Sequence, residues 1–130
     1  MILLDTHVVL WLGLEQARLS KNALSAIDDA RQVGRGLAIS DITLMEIAQL
    51  SYRRRIEFPA GLESFLTEVT RRFKVFPISA NIAMQAFDLP AAYPNDPADR
   101  IIGATALVED IPLLTADREI RKSRCVPTIW

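Results

Sequence analysis

The chain has one cysteine, Cys125, and one histidine, His7, among its 130 residues. A single thiol builds no internal disulfide framework and fits a reducing compartment. One histidine and one cysteine cannot assemble a zinc site of nitrogen and sulfur ligands. Nor do they provide the nucleophile and base pair of triad chemistry. Long apolar runs are missing too. Asp5 interrupts the opening apolar residues 1–4 before a signal core can form. Residues 8–14 are apolar apart from Gly13, far short of the ~20 needed to span a bilayer. The expected location is the cytoplasm. An excess of one charge is also absent, since fifteen basic and sixteen acidic residues give a formal net charge of -1. That balance excludes a polybasic binder whose affinity comes from bulk charge. Contact with nucleic acid would need locally placed cations or a bound metal.

What is present is the composition of a folded soluble protein, 50% hydrophobic and 24% charged. The length suits one domain over residues 1–130 and leaves no room for a second. A chain of this size buries roughly two-thirds of its unfolded surface, so it folds without staples. Short apolar runs alternate with helical patterns. Strands are expected at Ile2-Leu3-Leu4, Leu37-Ala38-Ile39, residues 75–78, Pro112-Leu113-Leu114 and residues 126–129. Helices are expected over residues 20–31, from Ser40 or Asp41 through Ser51, over 61–73, from Ser79 through Phe87, over 98–108 and over 117–122. Residues 90–97 read as a proline-rich loop, and there are no repeats or low-complexity tracts. This alternation predicts an α/β fold, with a central, mostly parallel sheet of four to five short strands and helices on both faces. Such sheets bind ligands outside the carboxyl ends of their strands.

Acidic residues recur at those ends. Asp5 follows the first strand, Glu46 lies on the helix after the second, and Asp117 follows the fourth within Thr115-Ala116-Asp117. Asp96 and Asp99 open the helix that leads into the fourth strand. Carboxylates gathered at one spot repel each other unless a cation shares them. Oxygen-only ligands of this kind suit Mg²⁺ or Mn²⁺. Taken singly, each acid has a plainer role. Asp96 at N-cap, Pro97 at N1 and Asp99 at N3 make a good helix start. Asp117 is a plausible N-cap, and Glu46 could be an ordinary helix surface charge. Asp5 is harder to explain, because a carboxylate ending a buried strand is costly unless used or capped.

Three stretches are specific in combination: Leu3-Leu4-Asp5-Thr6-His7-Val8-Val9-Leu10-Trp11, Asp96-Pro97-Ala98-Asp99-Arg100-Ile101-Ile102-Gly103-Ala104-Thr105-Ala106, and Leu113-Leu114-Thr115-Ala116-Asp117. Together they resemble the PIN-domain family, and within it the VapC-type toxins of type II toxin–antitoxin systems. The resemblance covers essentially the whole chain and implies a three-layer α/β/α domain. It implies a metal-binding and catalytic quartet of Asp5, Glu46, Asp99 and Asp117, with Asp96 as an accompanying acid. It further implies a ribonuclease that uses Mg²⁺ or Mn²⁺ to activate water, a VapB-type antitoxin partner and a homodimer. The chain departs from the pattern at Thr43-Leu44-Met45-Glu46-Ile47, where relatives place tryptophan before the glutamate. Different local packing is expected there.

Thr6 and Thr115 could hydrogen-bond the ligating carboxylates or serve as simple caps. Arg100 and Arg118 are candidates for substrate phosphate, and Arg100 is expected rather to pair with a site carboxylate. Three basic clusters stand out: Arg53-Arg54-Arg55, Arg71-Arg72-Lys74, and Arg118, Arg121, Lys122 and Arg124. Each is read first as a solvated helix end and second as a phosphate track. Trp11, Phe65, Phe73 and Phe87 are expected in the core, and a structural role is expected for His7. A phosphate-receiver domain and a dehalogenase-type phosphatase fail on spacing, since Asp5 is followed by Thr6-His7 rather than by a second acid. The rival readings are a PIN-like scaffold that binds RNA or a partner without cutting, and an RNA-processing or DNA-directed nuclease.

Overall fold

A computed structural model describes all residues 1–130. Five short strands, β1 (Ile2–Leu4), β2 (Leu37–Ser40), β3 (Lys74–Phe76), β4 (Leu113–Leu114) and β5 (Thr128–Ile129), form one sheet in the order β3-β2-β1-β4-β5. Every pairing is parallel, with Leu3 opposite Ala38 on one side and Leu113 on the other. Parallel strands need covered crossovers, and seven helices supply them. These are α1 (Thr6–Leu14), α2 (Lys21–Gln32), α3 (Asp41–Tyr52), α4 (Leu62–Arg72), α5 (Ala80–Asp88), α6 (Pro97–Val108) and α7 (Arg118–Ser123). None is long and apolar enough to cross a membrane.

Side chains alternate across a strand, and that alternation makes the three layers. Ile2, Leu4, Leu37, Ile39 and Leu114 face one way, onto Val8, Val9, Ile27, Ile47 and Val69 of α1 to α4. Leu3, Ala38, Phe76 and Leu113 face the other way, onto Ile102 and Ala106 of α6 and Ile120 of α7. Helix α5 adds Ile82 and Ala86 against Ala104 of α6. Polar starts fix the helix entries. Ser20, Ser79, Asp96 and Asp117 each accept a backbone N–H three residues on, at 2.9–3.2 Å. Ser40, rather than Asp41, caps α3 through the Ile42 N–H.

Helix α1 is the element that periodicity does not announce. Val8, Val9 and Leu10 are buried, and Trp11, Leu12 and Leu14 are half-buried, so it is apolar around most of its circumference. A helix wrapped in protein shows no single stripe. One expectation for the core fails, and Trp11 and Phe65 meet theirs in part, half-buried against it. Phe87 is 87% exposed on α5, three residues beyond Met84 at 62%, because Ile82 and Ala86 take that helix's inward face. Trp11 is only partly buried, between the rings of His7 and Trp130 and beneath the Arg18 guanidinium. Met45, at the position where tryptophan is absent, is 66% exposed, so the substitution leaves the core untouched.

Candidate active site

The chain passes from β1 outward through β2 to β3, then returns to lay β4 beside β1 on its other side. Between β1 and β4 the connections diverge, leaving a crevice at the carboxyl ends of the two strands. Asp5 leaves β1 there, and Asp117 follows β4. An open cleft at this place is lined by Asp5, His7, Trp11, Glu46, Asp96, Asp99, Ala116 and Asp117. The structure thus gathers the four acids of the expected quartet with Asp96, and neither arginine nor lysine lines the cleft.

Asp5 is buried, and both of its oxygens have partners. Oδ1 accepts the Thr6 N–H at 2.8 Å as the N-cap of α1, and Oδ2 accepts the Thr115 hydroxyl at 2.7 Å. Capping therefore explains part of its position. The Thr115 oxygen in turn accepts the Asp117 N–H at 3.0 Å, which ties the ends of β1 and β4 together through one hydroxyl. Glu46 is held from the other side, where Thr6 donates its hydroxyl to Oε1 at 2.6 Å. Thr6 Oγ1 also lies 3.0 Å from Thr43 Oγ1. A hydroxyl has one proton, so with that of Thr6 on Glu46, Thr43 is the donor to Thr6. Thr43 is a participant that the sequence reading missed, as its spacing from Glu46 looks like any buried helical position.

Asp99 sits in the first turn of α6, and its N–H is capped by Asp96 Oδ1 at 3.1 Å. Its backbone carbonyl accepts the hydroxyl of Tyr93, a side chain 1% exposed, at 2.8 Å. Tyr93 packs on Gly103, where an added Cβ would lie 2.6 Å from the ring Cζ and closer still to the hydroxyl. Neither Tyr93 nor Gly103 was expected at the site, although Gly103 belongs to the stretch that carries the family resemblance. Arg100 corrects an expectation. It pairs with no carboxylate, and its guanidinium is spent on the backbone carbonyls of Ala86, Leu89, Tyr93 and Pro94. It pins the loop before α6 and is not free to meet a phosphate. Arg118 is exposed and does not line the cleft.

Burial and like charge dominate the electrostatics. Desolvation raises Asp5 above the usual aspartate range, against the pull of its Thr115 and Thr6 hydrogen bonds. Desolvation likewise raises Glu46, with Asp5 and Asp96 adding repulsion. Asp99 is pushed up to about 7, first by burial and then by the charges of Asp5, Asp96, Glu46 and Asp117. Tyr93 is raised well above its ordinary value, chiefly by burial, so its hydroxyl remains a donor. As the side chains stand, no three of them converge within chelating reach of one point. The donor set nonetheless fits a hard divalent cation. It is all oxygen and strongly anionic, and Mg²⁺ keeps several waters while touching few protein ligands.

Known proteins are similar to this one along nearly the whole chain. The PIN-domain family model matches residues 2–124. Ribonuclease VapC22 of Mycobacterium tuberculosis (strain ATCC 25618 / H37Rv) is 37% identical over 123 residues, covering 95% of this chain and 92% of that protein. Among solved structures, DNA-bound VapBC from Salmonella typhimurium contains a chain with TM-score 0.71 and 18% identity, covering 98% of this chain and 97% of its own. VapBC-5 of Mycobacterium tuberculosis, a member of the VapBC family of toxin–antitoxin systems, gives TM-score 0.68 at 17% identity, over 98% of this chain and 95% of its own. A family model matching residues 2–124 and a relative 37% identical over 95% of the chain establish the family, and the chain belongs to the PIN-domain family.

Proposed function

We propose that this protein is a metal-dependent endoribonuclease, the toxin of a type II toxin–antitoxin pair whose partner is a VapB-type antitoxin. The observation that carries this reading is a cleft of five carboxylates, three of them raised chiefly by burial, with neither arginine nor lysine among its lining residues. Such a cluster is costly by itself and becomes favourable when a divalent cation enters. The nuclease half is further supported by the similarity to Ribonuclease VapC22. The antitoxin half is supported by VapBC complexes among the similar structures. A homodimer belongs to the same reading.

In this mechanism Asp5, Glu46 and Asp99 would hold one Mg²⁺ or Mn²⁺, and Asp117 would help to hold a second or orient water. A divalent cation bound there supplies a water activated for in-line attack and neutralises charge on the phosphorus oxygens. Hydrolysis would form a bond from the water oxygen to phosphorus and break the bond to the 3′ oxygen, which takes up a proton lost by the water, giving a 5′-phosphate and a 3′-hydroxyl. Thr115 and Thr6 keep the Asp5 and Glu46 carboxylates aimed, because each occupies one carboxylate oxygen and leaves rotation little freedom. Asp96 fixes the first turn of α6, and with it the height at which Asp99 enters the cleft. His7 is exposed among the cleft-lining residues, its ring 6.0 Å from that of Trp11, and with no hydrogen bond to a carboxylate it has no assigned proton to move.

The test is cleavage of RNA by purified protein freed of antitoxin, with Mg²⁺ or Mn²⁺. The wild type should cut and leave 5′-phosphate ends. Asp5→Asn and Asp99→Asn should lose activity by roughly 10²-fold or more, the scale of losing a group that stabilises transition-state charge. An inert wild type with both metals, or variants that cut equally well, would reject the nuclease reading and favour a non-cutting scaffold.

A further inference from the structure

We propose that the outward face of α7 is a phosphate-binding rim that receives the RNA backbone beside the carboxylate cleft, an inference that rests on the nuclease reading above. Four of the chain's fifteen basic residues fall within positions 118–124. Arg118, Arg121, Lys122 and Arg124 line one open concavity, and no acidic or apolar residue shares it. The helix sets this up. Ile120 is fully buried and anchors α7 to the core, while positions 118, 121 and 122 share the opposite face at i, i+3 and i+4. Arg124 then ends the helix in a left-handed conformation, φ 55°, and closes the concavity.

These cations make no ion pair, whereas five of the other eleven are engaged. Arg18 pairs with Glu15, and Arg71 and Arg72 share Glu68. Lys74 lies over the Phe76 ring, and Arg100 is spent on carbonyls. No salt bridge involves the α7 group. Surroundings separate it from the unpaired cluster Arg53-Arg54-Arg55. Asp117 is both a cleft residue and the N-cap of α7, so positions 118–122 lie within about 7 Å of the cleft end along the helix axis. Arg53 lies about 10 Å along α3 beyond the cleft residue Glu46, and of its cluster only Arg54 lines a concavity, one it shares with Glu57 and with apolar Ile56, Phe58 and Leu62.

The arrangement divides the work between two charges. A cleft of carboxylates repels a polyanion until cations occupy it, so attraction has to come from beside it. A cationic rim one helical turn away holds neighbouring phosphates and leaves the scissile one to the carboxylates. Phosphate contacts of this kind position a strand without reading its sequence. The rim therefore governs KM, and the carboxylates govern kcat.

The test is binding of a fluorescein-labelled single-stranded RNA by anisotropy, across a salt series in EDTA so that no cleavage intervenes. For the wild type, affinity falls with salt. In the variant with Arg118, Arg121, Lys122 and Arg124 all changed to Gln, the log–log slope should shrink by about 0.7 for each phosphate contact removed. With Mg²⁺ or Mn²⁺ the same variant should raise KM and leave kcat within about threefold. Changing the three arginines to Lys should restore the slope, which separates lost charge from a misfolded helix. Changing Arg53, Arg54 and Arg55 to Gln should leave the slope unaltered. An unchanged slope in the α7 variant, or an equal loss in the Arg53–Arg55 variant, overturns the proposal. So does loss of antitoxin capture with RNA binding intact, which would make this face a protein-docking surface. A wild type that binds through α7 but does not cut would reject the nuclease reading and leave the rim standing.

Discussion

At the scale of single residues, Asp99 joins the site to the stability of the molecule. Its ordinary value of 3.8 is pushed up to about 7 in the fold, by burial first and neighbouring carboxylates second. A raised acid binds its proton more tightly in the folded state than in the unfolded one. Below its unfolded value the stabilising difference is fully present, and it is lost as pH rises through the folded value. Asp5 and Glu46 are raised as well and act in the same direction. Thermal melts in a chelator should therefore show the wild type melting at a higher temperature near pH 5 than near pH 8. Asp99→Asn should shrink that gap and melt above the wild type at pH 8. A gap that is unchanged in the variant would remove Asp99 as its source. Thr115 gives a second prediction at this scale. Its hydroxyl serves the buried Asp5 Oδ2 and the Asp117 N–H at once, so Thr115→Val leaves both without that partner. Urea unfolding should show a loss of about 1–3 kcal/mol, and a loss under 0.5 kcal/mol would mean that water replaces the hydroxyl freely.

At the scale of elements, α6 is positioned by its surroundings rather than by its own sequence alone. Asp96 caps it, the Tyr93 hydroxyl holds the Asp99 carbonyl, and Arg100 ties the preceding loop down through four carbonyls. Gly103 makes room for Tyr93, so Gly103→Ala forces the ring of a buried residue aside. Overpacking of this sort costs about 1–3 kcal/mol. Urea unfolding should show that loss, and RNA cleavage should fall with it because Asp99 moves with the helix. Wild-type stability in Gly103→Ala would show that the ring has room to yield. The caps at Ser20, Ser79, Asp96 and Asp117 were legible from sequence because capping is local and uses a few residue types. The Thr115–Asp5 bond joins residues 110 positions apart, and only the folded sheet brings them together. The partners of Arg100 were illegible for a different reason. Backbone carbonyls have no letter in a sequence, so a carboxylate looked the better acceptor. Helix α1 was hidden by its own burial, which erases the stripe that periodicity seeks.

For the whole molecule, the formal charge of -1 is a sum of opposed regions. Five carboxylates line one cleft, and four unpaired cations line the adjoining face of α7. The near-zero balance excluded a binder working by bulk charge, and the fold sorts the two signs of charge into separate regions. The α/β class was readable because strand runs and helical stripes alternate along the chain. The same pattern pointed to the carboxyl ends of the strands as the place to look for acids. Convergence of five acids from β1, α3, α6 and β4 required the strand order, which no local pattern states.

The central claim is that these carboxylates are gathered to hold a divalent cation. The most direct measurement is Mn²⁺ binding to the antitoxin-free protein, followed by electron paramagnetic resonance of the free ion, for wild type, Asp5→Asn and Asp99→Asn. Saturable binding is expected of the wild type, with an affinity at least about tenfold weaker in each variant, the scale of one lost charge-assisted contact. Equal affinity in all three proteins would contradict it.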